Sequence, residues 1–190
     1  TLTGFKNICG KTNEYDVTKE KNYVFGYEES IGFCYGTFIR DKDAVGASMM
    51  VVEMAAYYKK QGKSLLDVLN DIYEEFGYYN ERQISLELEG IEGQQRIGRM
   101  MEDFRENPIK EMGDISLKEI IDFKDGYLDF PKQNCLKYYL NDGSWYALRP
   151  SGTEPKIKLY IYTIGKTEQK SIDKLDLIEK ACREKMNNVK

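Results

Sequence analysis

The sequence predicts two domains of different class: a partial α/β domain over residues 1–78, followed by an α+β domain over residues 79–190. Three observations carry this. The first half holds one short apolar run followed by two segments of helical periodicity, too few strands for a finished sheet. Beyond residue 78 the pattern changes to strict apolar/polar alternation, the mark of half-buried strands. An Asp-Gly dipeptide between two β-prone runs then marks a hairpin, so the second sheet is expected to be antiparallel.

In chain order, Tyr23-Val24-Phe25-Gly26 reads as a buried strand running into a loop. Asp43 precedes a helix in which Val45, Met49, Val52 and Ala56 recur on one face, and Gly62 ends it. Ser64-Leu65-Leu66-Asp67 is a capping box, with Asp in place of the usual Glu, opening a helix that carries Leu65, Leu69, Ile72 and Phe76 to a stop at Gly77. In the second half, residues 82–88 alternate with Ile84, Leu86 and Leu88 on one side. Gly90 to Asn107 is expected as a helix presenting Ile97, Met100, Met101 and Phe104, closed by Pro108. The hairpin turns at Asp142-Gly143, a further strand alternates Ile157, Leu159 and Ile161 against Lys158, Tyr160 and Tyr162, and a last amphipathic helix runs from about Glu168 to Met186.

Composition excludes several classes. With 41% hydrophobic and 32% charged residues the chain is globular rather than disordered. A net charge of -4 argues against nucleic-acid binding, which needs a basic excess or face. No apolar run approaches the ~20 residues of a membrane span, and the expected location is cytoplasmic. Histidine is absent, which removes Ser-His-Asp and Cys-His catalysis. Cys9, Cys34, Cys135 and Cys182 lie far apart without a Cys-x-x-Cys pair, so no metal site is expected and the thiols read as those of a reducing compartment. The opening Thr1-Leu2-Thr3-Gly4-Phe5-Lys6 resembles the inside of a domain, and the chain is expected to be a fragment of a longer one.

Two stretches carry candidate chemistry. Arg149-Pro-Ser-Gly-Thr-Glu-Pro-Lys-Ile-Lys158 is a loop between strands in which Ser151, Gly152 and Thr153 offer backbone N–H groups and hydroxyls, while Arg149 and Lys158 supply cations. Its two readings are a site for a doubly charged oxyanion and an ordinary small-residue turn beside a surface arginine. Gly26-Tyr-Glu-Glu-Ser-Ile-Gly32 sets two carboxylates and a serine between glycines, which suits hydrogen bonding to vicinal hydroxyls or a plain solvated turn. Arg40 and Lys42 follow closely and place cations beside it, or else belong to a charged helix start.

In this order the two stretches resemble the C-terminal part of the α-D-phosphohexomutase superfamily, the phosphoglucomutases and phosphomannomutases. The second is similar to the family's R-x-S-G-T-E-P-x-x-(K/R) loop, the first to its G-E-E-S loop, and Thr3-Gly4-Phe5-Lys6 to its T-G-x-K segment. Tyr27 stands where the family usually has glycine, and Gly32 where a histidine often closes the sugar loop. The resemblance implies the C-terminal part of a truncated α/β/α domain three (1–78), then a domain four (79–190) of the TATA-box-binding-protein type. It also implies sugar contacts from Glu28, Glu29, Ser30, Arg40 and Lys42, a substrate segment at Thr3, Gly4 and Lys6, and phosphate binding by Arg149, Ser151, Gly152, Thr153 and Lys158.

The implied activity belongs to a full-length parent, an intramolecular phosphotransferase that interconverts sugar 1-phosphate and 6-phosphate through a phosphoserine and a bisphosphorylated intermediate. Neither the family's T-A-S-H-N-P-type serine loop nor its D-G-D-G-D-type magnesium loop occurs in the 190 residues. No catalytic residue, metal ligand or bound cofactor is therefore expected here, with Mg2+ and a sugar bisphosphate activator assigned to the parent. The expected partners are a small sugar phosphate and the missing N-terminal domains of the same chain. A non-catalytic phosphosugar-binding or regulatory module is the alternative that the same residues allow.

Overall fold

The structure is a computed structural model that describes residue 1 and residues 4–28, 31–152 and 154–190. It divides into two units, Thr1–Asp71 and Ile72–Lys190.

The first unit opens with a helix that sequence periodicity does not reveal, α1 (Phe5–Thr18), because only Phe5, Cys9 and Thr12 turn inward from an otherwise polar segment. Strand β1 (Phe25–Glu28) begins later than the expected 23–26 run, and it does not simply enter a loop. It pairs antiparallel with β2 (Gly32–Tyr35), with Gly26 opposite Cys34 and Glu28 opposite Gly32. Both glycines of the Gly26–Gly32 stretch thus lie in strands. Their smallness is a packing requirement: a Cβ on Gly26 would fall 2.5 Å from Ile8 Cγ2, and one on Gly32 2.6 Å from the Phe5 ring.

Two capped helices follow. Asp43 caps α2 (Ala44–Lys59), its carboxylate accepting from the N–H groups of Val45 and Gly46 at 3.1 Å each. The box before α3 (Leu65–Phe76) is reciprocal: Ser64 N–H donates to the Asp67 carboxylate at 2.7 Å, and Asp67 N–H to Ser64 Oγ at 3.2 Å. The apolar residues that recur along these helices are not buried. Neither contains a buried residue, and Val45 and Val52 are 82% and 69% exposed. No second layer among the described residues covers them.

The second unit is a six-stranded antiparallel sheet in the order β3-β8-β7-β6-β5-β4. Its strands are β3 (Tyr78–Glu87), β4 (Glu111–Met112), β5 (Ile115–Asp122), β6 (Leu136–Leu140), β7 (Trp145–Pro150) and β8 (Lys156–Gly165). Helices α4 (Gly90–Glu106) and α5 (Glu168–Asn188) cover one face. From α4 come Ile97, Met100, Met101 and Phe104, and from α5 Leu175, Ile178, Cys182 and Met186. The alternating strand residues meet them, including Tyr138, Tyr146, Leu148, Ile157, Leu159 and Ile161. Each such side chain, fully buried, contributes on the order of 1.5–3 kcal/mol of transfer free energy. The even-numbered residues of β8 face the other side, which these helices leave uncovered. No helix among the described residues is long and apolar enough to cross a membrane.

Candidate functional site

The β7–β8 connection is built from the hairpin register. Trp145 to Pro150 pair with Tyr162 to Ile157, which sets Arg149 directly opposite Lys158 on adjacent strands. Ser85 of β3 stands opposite Lys158 on the other side, so serine, lysine and arginine form a row across three strands. Sequence reading missed Ser85 because it lies far away in the chain and only the sheet brings it there. Like charges in direct cross-strand register repel. Among the described residues neither Arg149 nor Lys158 is paired with a carboxylate, whereas Arg82, Arg105, Lys174 and Lys185 of the same unit all are.

Turn chemistry fixes the loop between them. Ser151 N–H donates to the Lys156 carbonyl at 2.8 Å, and Ser151 Oγ accepts from Glu154 N–H at 3.2 Å. Lys156 is neutralised by Glu154 at 2.5 Å, which leaves Arg149 and Lys158 as the stretch's cations without a carboxylate partner among the described residues. At Gly152 an added Cβ would meet nothing within 4 Å, so the backbone there is open to close approach. The cationic field reaches Cys135, where burial pushes the thiol up against the opposing pull of Arg149 and Lys137. Thr153 lies outside the described residues.

In the first unit, strands β1 and β2 flank residues 29–31. Glu28 ends β1, and its carboxylate accepts the backbone N–H of Gly4 at the start of α1, where unpaired N–H groups and the helix dipole favour an anion. That contact joins two segments singled out separately in the sequence. It also shows that one oxygen of Glu28 is already engaged. Ile31, 84% exposed, holds φ at 63°, a costly conformation for a β-branched residue.

Lys6 is exposed in the first turn of α1. Arg40 is ion-paired with Asp16 of α1, and this pairing holds the Asp16 carboxyl below its ordinary range. Lys42 bonds Asp41 at 3.2 Å and lies 5.1 Å from the centre of the Phe5 ring. Both cations brace α1 against the hairpin region. Thr3, Glu29 and Ser30 lie outside the described residues.

No group of three histidine, cysteine, aspartate or glutamate side chains converges on a metal-sized site among the described residues.

Comparison with known proteins matches both halves of the chain. Residues 1–76 match the family model described as phosphoglucomutase/phosphomannomutase, alpha/beta/alpha domain III, and residues 88–176 match that of the family's C-terminal domain. A phosphoglucomutase of Staphylococcus epidermidis is 40% identical over 171 residues, covering 84% of this chain and 31% of that protein. One from Staphylococcus aureus strain MRSA252 is also 40% identical over 171 residues, with 84% and 30% covered. The chain thus spans about a third of the length of these relatives. In fold it resembles the open form of pp63/parafusin, a phosphoglucomutase from Paramecium, with a TM-score of 0.69 over 98% of this chain and 33% of that one at 19% identity. With both halves matched in order, the chain belongs to the phosphoglucomutase/phosphomannomutase family, of which it carries domain III sequence and the C-terminal domain.

Proposed function

We propose that this chain is the substrate-holding C-terminal part of a mutase that interconverts sugar 1-phosphate and sugar 6-phosphate through an enzyme phosphoserine and a bisphosphorylated intermediate. The observation that carries this reading is the register of Arg149 and Lys158, two cations without a carboxylate partner among the described residues, set face to face at the root of a turn of small residues. A dianionic phosphate relieves their repulsion. Arg149 offers two parallel N–H donors, Lys158 a point charge, and the backbone at Gly152 close approach. In this reading the loop grips the phosphate that is not reacting, and Glu28, Glu29 and Ser30 read sugar hydroxyls, with Arg40 and Lys42 beside them. Holding the remote phosphate lowers the barrier by fixing the reacting group in place, since phosphoryl transfer is largely positioning and charge stabilisation. Magnesium, when bound in a full-length parent, would supply charge neutralisation at the serine phosphate. These 190 residues alone are proposed to bind without turnover, with serine and metal loops coming from N-terminal domains of the same chain.

The test is Arg149→Ala in the full-length protein, assayed with glucose 1-phosphate. Loss of hydrogen bonds to a charged group costs about 1.5–3 kcal/mol, so kcat/KM falls roughly 10- to 150-fold, with KM raised and kcat lowered. Arg149→Lys recovers only part, because a point charge lacks the bidentate fork. Unchanged kinetics in Arg149→Ala refute the phosphate role. A full-length protein that binds sugar phosphate without mutase activity is instead a regulatory module.

A further inference from the structure

We infer that Cys9 and Cys34 are an oxidisable pair whose disulfide locks α1 onto the β1–β2 hairpin near Glu28 and Gly32. The two sulfurs lie 3.8 Å apart although 25 residues separate them in sequence. Both side chains are buried, at 3% and 0% exposure, and together with Phe5 they are the small core of the first unit. A disulfide has a sulfur–sulfur length of about 2.05 Å, so closure requires an approach of roughly 1.8 Å, within reach of side-chain rotation and slight backbone adjustment. No other two cysteines are in contact among the described residues.

The position of the pair gives the bond its consequence. Cys9 lies one turn beyond Phe5, the residue whose ring approaches Gly32, and Cys34 follows Gly32 on β2. A covalent link there fixes the helix whose N-cap residue, Gly4, donates its N–H to the Glu28 carboxylate.

Access comes through local opening of α1, whose N-cap has no side-chain hydrogen bond and whose first turn has no acidic residue; Arg40 and Lys42 brace the helix, so opening is infrequent. The oxidant is a small disulfide. The Cys9 thiol loses its proton to solvent and its thiolate attacks one sulfur, forming a mixed disulfide and expelling one thiolate. Cys34 then gives up its proton and attacks the Cys9 sulfur, closing the bond and releasing the second thiolate. Two protein thiols are oxidised, one small disulfide is reduced, and the two released thiolates take up the two protons. Burial, with the neighbouring Cys34 sulfur, pushes the Cys9 thiol up to about 11, so thiolate is scarce and oxidation proceeds slowly. The inference does not depend on what residues 28–32 bind, because its readout is covalent.

The 190-residue protein is incubated with excess glutathione disulfide, remaining thiols are alkylated, and peptides are mapped without reduction. The expected result is a Cys9–Cys34 cross-link with loss of two alkylatable thiols, Cys135 and Cys182 still free, and reversal by dithiothreitol. Amide exchange across residues 9–15 slows by about tenfold or more in the oxidised form. In Cys9→Ser the cross-link is gone and α1 exchange no longer responds to oxidant. Recovery of Cys9 and Cys34 as free thiols, a stable glutathione adduct on Cys9 of the unmodified sequence, or a cross-link that leaves α1 exchange unchanged would each overturn the inference.

Discussion

Tyr138 and Tyr146 stack in the core of the second unit with ring centroids 4.5 Å apart and planes at 8°, yet their hydroxyls meet different fates. Tyr138 donates to the Phe104 carbonyl at 2.9 Å, whereas the Tyr146 hydroxyl is buried without a partner among the described residues. A buried polar group left unsatisfied costs about 1–3 kcal/mol, and a made hydrogen bond returns about 1 kcal/mol. Tyr146→Phe is therefore expected to keep or raise Tm, while Tyr138→Phe lowers stability by about 1–2 kcal/mol through the lost bond and the orphaned carbonyl. Urea denaturation of the two variants, followed by the fluorescence of Trp145, checks the opposite signs. At this scale the same accounting explains the candidate loop. Arg82, Arg105, Lys174 and Lys185 of the second unit are satisfied by carboxylates, while Arg149 and Lys158 stand opposite one another without a carboxylate partner among the described residues.

Among the elements, helix starts were plainly legible. Asp43 and the Ser64/Asp67 box cap as their sequence implies, because capping depends on a residue and its next three neighbours. Asp43→Ala is expected to cost about 1 kcal/mol at the start of α2, with loss of helical signal in far-UV circular dichroism on heating; Asp43→Asn retains most of it. The Asp142-Gly143 hairpin was legible for a similar reason, being local turn chemistry between β-prone runs. Helix α1 was not, since three inward residues in fourteen leave little periodicity to read. Strand β5 also escaped, because a register shift between Leu117 and Glu119 breaks its alternation.

At the scale of the whole molecule, ion pairs set the acid response of the second unit. Lys185, outweighing burial, holds the Asp103 carboxyl below its ordinary 3.8. For Asp142, burial works upward but is outweighed by Lys174, at 2.6 Å, and by the N–H and hydroxyl of Ser144. Burial likewise opposes, and Arg82 and Arg183 overcome it, at Glu179, which lies below its ordinary 4.5. Groups with lowered folded values bind fewer protons folded than unfolded. Their stabilisation is present above the ordinary carboxylate values and is lost as pH falls through the folded ones. Tm of the unit, read by Trp145 fluorescence, is expected to decline from about pH 5 downward, and Asp103→Asn to flatten that decline. A pH-independent Tm between about 5 and 2 would contradict it.

The sequence by itself determined the order of domain types, the caps, the hairpin turn and the two candidate loops, all features whose physics lies within a few consecutive residues. Tertiary structure alone decided the partners. Lys158 meets Arg149 on one side and Ser85 on the other through strand register, Glu28 meets Gly4 through the seating of α1, and Cys9 meets Cys34 across 25 residues. Register and helix docking are properties of the assembled core, where burying one face dictates which distant side chains share the other.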